Sequence, residues 1–340
     1  MIKEAITKAV TCKDLSREEA AMTMEEIMSG NATDAQIASF ITALRMKGET
    51  VDEITGFTEI MREKATHLKA QGPVIDTCGT GGDGARTFNI STASAFIAAG
   101  AGAMVAKHGN RSVSSSCGSA DCLQALGINI TAPVEEVERC LNEVGIGFLF
   151  APLLHASMKY AIGPRREIGI RTVFNVLGPM TNPAGAKAQL IGVYAPELTE
   201  TMAMVLKNLG SEHVMVVHGM DGLDEITTTG PTRITELKQD RIVTYEINPV
   251  ELGFSLARPG DLKGGEAQEN ARLCTAILGG ERGPKRDICL LNAGAAIYVA
   301  DLAGDLAQGI RKAQESIDSG AAKDKLEGLR RMMPLTASQP

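Results

Sequence analysis

Short apolar runs alternate with helical patterns along most of the chain beyond residue 73. The runs have the length of buried strands, and the segments between them repeat apolar residues at helical spacing. We predict strands over residues 74–75, 104–106, 146–150, 189–194 and 213–217, and helices over residues 91–99, 119–126, 133–144 and 198–209. This alternation predicts an α/β fold with a mostly parallel central sheet. Ligands bind such sheets at the carboxyl ends of the strands.

A hairpin interrupts this alternation. Residues 232–237 and 242–247 are predicted to pair across residues 238–241, and the C-terminal part of the chain returns to a helical pattern. The first seventy residues differ again, because three capping boxes mark helix starts at Ser16, Thr33 and Thr50. We therefore predict a small all-helical domain over residues 1–70.

The composition disfavours several classes of partner. With 340 residues, the chain can bury a large core and form two domains. Its net charge of −7 disfavours broad binding of nucleic acid or of a membrane surface, since both need a cationic field. An anionic ligand therefore requires a specific pocket.

Cysteine content and the N-terminal segment point to a cytoplasmic protein. The seven cysteines include no CxxC pair, which favours reduced thiols over a disulfide framework or a zinc site. The N-terminal segment MIKEAITKAV is too polar for a signal peptide, and no apolar run is long enough to span a membrane.

The segment DTCGTGGDGARTFNIST, residues 76–92, is rich in glycine. Glycine allows sharp turns that bring several N–H groups to one point, and the helix predicted to follow adds a partial positive charge. This combination is typical of a phosphate site. The glycine spacing also matches the dinucleotide-binding fingerprint G-x-G-x-x-G. That fingerprint needs an acidic residue about twenty positions later to hold a ribose hydroxyl, and the sequence has none between Asp83 and Asp121. The absence of Gly-Lys-Ser/Thr excludes a Walker A loop, and a mobile loop without a ligand is the alternative.

Two further polar clusters follow predicted strands. The NIST segment, residues 89–92, stands where a helix begins, so its side chains either face the same anion or simply cap the helix. The segment KHGNRSVSSSCGSAD, residues 107–121, places a lysine, a histidine, an asparagine, an arginine and five serines in one loop. So many donors after a buried strand indicate a second phosphate grip.

An acidic pair follows the strand predicted at residues 213–217. Asp224 and Glu225 are adjacent in HGMDGLDEITTT, and two such carboxylates suit Mg²⁺, which takes one or two protein oxygens together with substrate phosphate. The spacing does not match an EF-hand, and an exposed acidic turn is the alternative.

Residues 155–184 carry three arginines, Arg165, Arg166 and Arg171. We predict a helix start beside them, after Gly163-Pro164. Arginine can hold a carboxylate with two parallel hydrogen bonds, but the spacing does not show which arginine does so.

Five motifs resemble the anthranilate phosphoribosyltransferase family, in order and along nearly the whole chain: DTCGTGGD, NIST, KHGNRSVSS with GSAD, GPRREIGIRTVFNVLGPMTNP and HGMDGLDEIT. The resemblance implies transfer of the phosphoribosyl group of 5-phosphoribosyl 1-diphosphate to the amine of anthranilate, with release of diphosphate, in tryptophan biosynthesis. It also implies the fold of the pyrimidine nucleoside phosphorylases and a homodimer formed through the helical domain. Residues 155–183 would then rejoin residues 1–70, leaving 71–154 and 184–340 to the α/β domain.

The resemblance also implies roles for individual residues. It assigns the sugar diphosphate to Gly79, Gly82, Asp83, Thr87, Asn89, Ile90, Ser91, Thr92, Lys107, His108, Gly109, Asn110, Arg111, Ser112, Val113, Ser114, Ser115 and Ser119. It assigns anthranilate to Gly79, Asn110 and Arg165, with His108 as the candidate acid or base, and two Mg²⁺ ions to Ser91, Asp224 and Glu225. Ser116-Cys117 stands where many members have Lys-Ser, so we leave both out of the site.

This chemistry needs little acid or base catalysis. The aromatic amine of anthranilate is uncharged at neutral pH, so stabilising the leaving diphosphate and positioning the acceptor are the main tasks. The alternatives are a pyrimidine nucleoside phosphorylase-like enzyme and a diverged relative that binds nucleic acid. Asn110 and the Asp224-Glu225 pair favour the transferase over the phosphorylase, and the acidic net charge disfavours nucleic acid.

Overall fold

Four helices occupy the N-terminal part of the chain in the computed structural model, which describes residues 1–111 and 117–335. They are α1 (Ile2–Val10), α2 (Arg17–Met28), α3 (Asp34–Lys47) and α4 (Val51–Glu63). The three capping boxes are confirmed, with Ser16, Thr33 and Thr50 each accepting a hydrogen bond from the backbone of the residue three positions later. Helix α1 was not predicted, because it begins beside Met1 without a side-chain cap.

A seven-stranded sheet forms the centre of the larger part of the molecule. Its strands are β1 (Ile75–Gly79), β2 (Val105–Gly109), β3 (Ile146–Phe150), β4 (Ala188–Gly192), β5 (His213–Gly219), β6 (Thr232–Lys238) and β7 (Arg241–Ile247). Their order is β3-β2-β1-β4-β5-β6-β7. All pairs from β3 to β5 are parallel, and the β5–β6 and β6–β7 pairs are antiparallel. The mostly parallel sheet is confirmed.

Helices pack on this sheet and form the last part of the described chain. They are α5 (Ile90–Gly100), α6 (Ser119–Ala125), α7 (Val134–Glu143), α8 (Ala151–Leu154), α9 (Lys159–Ile168), α10 (Phe174–Leu177), α11 (Leu198–Asn208), α12 (Ala267–Leu278), α13 (Pro284–Val299), α14 (Leu306–Asp318) and α15 (Ala321–Met332). Helix α5 is buried along nearly its whole length, which its run of alanines permits because small side chains let α13 and α15 pack closely. No helix in the described ranges is long and apolar enough to cross a membrane.

Four strands that lead to the site end in glycine: β1 at Gly79, β2 at Gly109, β4 at Gly192 and β5 at Gly219. Gly79 and Gly192 are partners in the β1–β4 register. A Cβ on Gly192 would lie 1.6 Å from the backbone oxygen of Asp224, and a Cβ on Gly79 would lie 2.3 Å from its Oδ2. Glycine therefore lets the loop after β5 cross over the ends of β1 and β4.

Several predicted boundaries are wrong. Strand β1 continues past Ile75 through polar residues to Gly79, and β2 includes Lys107 and His108. The hairpin turn has two residues, Gln239 and Asp240, both with positive φ (50° and 63°), as a type I′ turn requires.

The helix start predicted after Gly163-Pro164 is also wrong. Helix α9 begins at Lys159, and Pro164 lies inside it. The helix tolerates this proline at the cost of one backbone hydrogen bond, since proline has no N–H to donate to the preceding turn.

Two apolar cores lie in the described part of the molecule. One packs α5 and the C-terminal helices on the sheet. The other joins α1–α4 to apolar residues between 161 and 180, to α11 and to side chains of β4 and β5. Backbone bonds from Thr66 to Leu154 (2.8 Å) and from Leu68 to Pro183 (3.1 Å) link the segment after α4 to the end of α8 and to the segment before β4. The proposed division into domains stays a prediction.

All seven cysteines are free thiols, and five of them are buried.

Candidate active site

The glycine-rich loop leaves β1 at Gly79 and is tied to the sheet at its start. The Thr80 N–H donates to the carbonyl of Gly192 (2.9 Å), and the Gly81 N–H donates to Oδ2 of Asp224 (2.8 Å). Gly81, Gly82 and Gly84 have φ values of 66°, 80° and 73°, in the left-handed region that favours glycine. The sequence is therefore glycine-rich where the backbone turns.

A second tie holds the far end of this loop. The Gly264 N–H donates to the carbonyl of Arg86 (3.0 Å), and the Phe88 N–H donates to that of Leu262 (3.2 Å). Thr87 forms a bridge with Lys263 between these two bonds. The segment from Gly79 to Phe88 is thus an ordered rim over the carboxyl end of the sheet.

The start of α5 lies directly after this rim. Asn89 occupies the N-cap position without a side-chain capping bond, and its amide instead donates to the carbonyl of Cys117 (3.3 Å). Capping alone therefore does not explain Asn89. The Ile90 side chain is buried in the core, so Ile90 can offer a ligand only its backbone. Thr92 is also buried, and its Oγ1 has no hydrogen-bond partner in the described part of the chain.

Lys107 lies beneath the start of α5 with its side chain buried. Its Nζ donates to the carbonyl of Thr77 (2.5 Å) and to Oγ of Ser91 (3.2 Å). Burial lowers the pKa of Lys107, whereas the buried carboxylate of Asp76 acts in the opposite direction. Asp76 accepts hydrogen bonds from the His108 N–H (3.0 Å) and from the Asn182 amide (2.8 Å). The result is a buried cation next to the N-terminus of α5, where an anion is stabilised.

The acidic pair lies against the same rim. Asp224 and Glu225 are half-buried, which disfavours the exposed acidic turn. Burial, followed by the neighbouring Asp83, raises the pKa of Asp224. Burial, followed by Asp224, raises the pKa of Glu225, whereas Lys107 opposes this rise. A bound cation reduces the electrostatic repulsion between such carboxylates.

The donor set fits Mg²⁺ better than a metal held by protein ligands alone. No group of three or more His, Cys, Asp or Glu side chains in the described residues is placed to hold a metal ion. Mg²⁺ requires no such group, because it binds one or two carboxylates and completes its shell with waters and substrate phosphates.

The region after β2 is described only in part. Gly109 ends the strand, and the carbonyl of Asn110 accepts bonds from the Ser119 hydroxyl (3.4 Å) and the Ala120 N–H (3.2 Å). The guanidinium of Arg111 donates to Asp121 and Gln124 (2.8 Å each), so it points towards α6. Ser112, Val113, Ser114 and Ser115 lie outside the described residues, and so does Ser116.

Arg165 has an unbalanced charge. It lies on α9, half-buried, with its guanidinium carbon 5.0 Å from the centroid of the Phe174 ring. Burial lowers the pKa of Arg165, and no carboxylate pairs with it anywhere in the described ranges. A half-buried guanidinium without a counter-ion is suited to a carboxylate ligand. Arg166 is exposed, and Arg171 instead donates to the carbonyl of Gly82.

His155 was not among the residues predicted for the site. Its ring centroid lies 5.1 Å from that of His108, and neither Nε2 has a hydrogen-bond partner in the described part of the molecule. Burial and the neighbouring ring lower the pKa of His108 to about 3, although a hydrogen bond to the backbone of Gly178 opposes this shift. Burial lowers the pKa of His155 to about 4. Both rings are therefore neutral at pH 7. The local signal was weak, since a single histidine ahead of an arginine-rich segment has no characteristic spacing.

Two family models match the chain. The model described as "Glycosyl transferase family, a/b domain" matches residues 71–323, and that described as "Glycosyl transferase family, helical bundle domain" matches residues 3–65. An anthranilate phosphoribosyltransferase of Moorella thermoacetica is 58% identical over 330 residues, covering 97% of this chain and 97% of that relative.

Solved structures agree with this assignment. The crystal structure of anthranilate phosphoribosyltransferase from Thermus thermophilus has a TM-score of 0.92 at 42% identity, covering 96% of this chain and 98% of that one. The enzyme from Saccharomyces cerevisiae in complex with PRPP and Mg has a TM-score of 0.88 at 28% identity, covering 97% of each chain. With its two matched models, near full-length relatives and shared fold, the chain belongs to the anthranilate phosphoribosyltransferase family.

Proposed function

We propose that this protein transfers the phosphoribosyl group of 5-phosphoribosyl 1-diphosphate to the amine of anthranilate, giving N-(5-phosphoribosyl)anthranilate and diphosphate, as in tryptophan biosynthesis. One observation carries the proposal. The glycine-rich rim, the start of α5, the buried Lys107 and the Asp224-Glu225 pair meet at one edge of the sheet. This edge combines converging N–H groups with carboxylates, as a magnesium diphosphate requires.

The donor site comprises the residues that resemble the family motifs. Gly79, Gly82 and Asp83 offer the rim of the loop, and the N–H groups at the start of α5 point in the direction that stabilises negative charge. The serines and the valine of residues 112–115 are part of the proposal on sequence grounds alone. Arg111 would have to leave Asp121 to reach the diphosphate.

Two magnesium ions are proposed at Ser91, Asp224 and Glu225. The repulsion of Asp224 by Asp83, and of Glu225 by Asp224, supports this assignment. When bound, magnesium neutralises charge on the departing diphosphate. Lys107 adds a fixed positive charge from below and orients Ser91 through its hydroxyl.

The acceptor site is proposed at Arg165, Asn110 and Gly79. The unpaired guanidinium of Arg165 supports a grip on the carboxylate of anthranilate. The neutral rings of His108 and His155 offer an uncharged environment for an aromatic acceptor. The Nε2 of His108, which has no hydrogen-bond partner among the described residues, is the candidate atom to accept the proton released by the amine.

A homodimer through the helical domain is also proposed. An apolar groove of about 510 Å³ lies between α1 and α3. Val10 (62% exposed) and Met46 (84% exposed) stand beside it, and a second copy would cover them. Light scattering during gel filtration is expected to give twice the chain mass, with Met46→Lys shifting the protein towards the monomer. A wild-type monomer at micromolar concentration contradicts this part of the proposal.

The direct test of function is the loss of anthranilate fluorescence when the sugar diphosphate and Mg²⁺ are added. We expect the anthranilate fluorescence to fall only when the protein, the sugar diphosphate and Mg²⁺ are all present. EDTA is expected to stop the fall. Turnover of thymidine with phosphate, in place of anthranilate, would support the phosphorylase alternative. A salt-sensitive shift of DNA with no turnover of either substrate would support the nucleic-acid-binding alternative.

A further inference from the structure

Arg171 lies in the connection between α9 and α10, just beyond a left-handed turn at Gly169 (φ 65°). Its side chain is exposed, and its Nη2 donates a hydrogen bond to the carbonyl oxygen of Gly82. The guanidinium carbon lies 4.3 Å from the centroid of the Tyr194 ring. No ion pair involves Arg171 in residues 1–111 and 117–335. Its charge is therefore directed at the loop and at the aromatic ring.

Gly82 is the part of the rim that most needs an external contact. The loop is bonded to Gly192 and Asp224 at Thr80 and Gly81, and to residues 262–264 at Arg86 and Phe88. Between these ties, Gly82 and Gly84 have positive φ values of 80° and 73°, and their lack of a side chain makes a peptide flip inexpensive. The hydrogen bond from Arg171 fixes the carbonyl of Gly82 in this central stretch.

Fixing that carbonyl also fixes the next N–H group. The peptide unit is planar and trans, so the carbonyl of Gly82 and the N–H of Asp83 point in opposite directions. While Arg171 holds the oxygen on one side of the loop, the N–H of Asp83 points to the other side. Arg171 thus controls a donor group without contacting the ligand.

Tyr194, whose ring contacts the Arg171 guanidinium, also contacts the loop. The Tyr194 N–H donates to Oγ1 of Thr80 (3.2 Å), and Thr80 is bonded to Gly192 (2.9 Å). Arg171, Gly82, Thr80 and Tyr194 therefore form a ring that the chain itself closes between Thr80 and Gly82. A cation stacked on an aromatic ring contributes further to holding the guanidinium in place.

We propose that Arg171 is a positioning residue that fixes the centre of the glycine-rich loop, so that the loop's N–H groups are aimed at the diphosphate before it binds. This inference rests on the proposed function for the identity of the ligand. Its physical basis is preorganisation, since a loop that is already ordered loses less entropy on binding.

The test compares Arg171→Met, which lacks a donor, with Arg171→Lys, which keeps one. Arg166→Met is the matched control, because Arg166 is an exposed arginine of the same segment. We expect Arg171→Met to raise the Michaelis constant for the sugar diphosphate roughly tenfold or more, with that for anthranilate little changed, and Arg171→Lys to restore part of the loss. The control is expected to match the wild type.

Hydrogen exchange of the ligand-free protein separates this inference from the proposed function. Peptides covering residues 79–88 are expected to exchange faster in Arg171→Met than in the wild type or in Arg166→Met. Unchanged exchange there would overturn the inference, and so would faster exchange with an unchanged Michaelis constant for the sugar diphosphate. If the wild type does not consume anthranilate, the proposed function fails, and the exchange result still decides whether Arg171 orders the loop.

Discussion

Replacing Gly79 by alanine would place a methyl group against the carboxylate of Asp224. The added Cβ would lie 2.3 Å from Oδ2 and 3.0 Å from Cγ of Asp224. Carbon and oxygen in contact need more than 3 Å, so the carboxylate must move by about 1 Å. It lies at the end of a side chain and can rotate, so we expect the fold to survive.

Moving the carboxylate of Asp224 also disturbs its hydrogen bond to the glycine-rich loop. The hydrogen bond from the Gly81 N–H to Oδ2 of Asp224, now 2.8 Å, would lengthen or break. A hydrogen bond to a charged group contributes about 1.5–3 kcal/mol. A misplacement of about 1 Å at a catalytic group reduces kcat/KM on the order of 100-fold. We therefore expect roughly that loss, together with a higher Mg²⁺ concentration for half-maximal activity.

The assay is the steady-state loss of anthranilate fluorescence across a Mg²⁺ titration. Gly230→Ala is the matched control, because a Cβ there meets no atom of the described residues within 4 Å and its φ is not left-handed. Gly79→Ala is also measured in an Asp224→Ala background, where the methyl group has no carboxylate to displace. An effect of Gly79→Ala that is undiminished in that background would refute the reasoning, since the methyl group would then act by a route that does not involve Asp224.

Three further predictions concern Arg165, His155 and Gly192. Arg165→Ala is expected to raise the Michaelis constant for anthranilate roughly tenfold, with little change for the sugar diphosphate, and equal weakening for both substrates would place Arg165 elsewhere. Because the pKa of folded His155 is lowered from 6.5 to about 4, the unfolded chain binds the proton first as pH falls. The free energy of unfolding should therefore decrease by up to about 1.4 kcal/mol for each pH unit below 6.5. Urea denaturation at pH 7 and at pH 4.5 should show a smaller decrease for His155→Gln than for the wild type. Gly192→Ala brings a Cβ within 1.6 Å of the Asp224 backbone oxygen, which cannot rotate away. We expect the free energy of unfolding to fall by about 3 kcal/mol or more, measured by the same urea denaturation. A variant as stable as Gly230→Ala would contradict this.

Strand boundaries show where local patterns fail. The prediction ended the first strand at Ile75 because Asp76 and Thr77 are polar. In the structure both are buried, and Asp76 is satisfied by bonds from His108 and Asn182. Apolar periodicity detects a strand whose side chains are apolar, but it cannot detect one whose polar groups have distant partners.

Helix α9 shows the opposite failure. Gly163-Pro164 is a typical helix boundary, yet the helix begins before it at Lys159. Packing of Ala161 and Pro164 in the interior outweighs the hydrogen bond that proline removes. Local propensity was overridden here by tertiary contacts.

The sequence by itself determined the alternation of strands and helices, the three capped N-terminal helices and the motifs that place the chain in its family. These features depend on residues close together in the chain, so local chemistry is enough to predict them. It did not determine which side chains meet. Asp224 reaches Gly81 across 143 positions, and Arg171 reaches Gly82 across 89. Only the tertiary packing, of the strands in the sheet and of the connection between α9 and α10 against it, brings these residues within hydrogen-bonding distance, because no local pattern encodes which segments become neighbours.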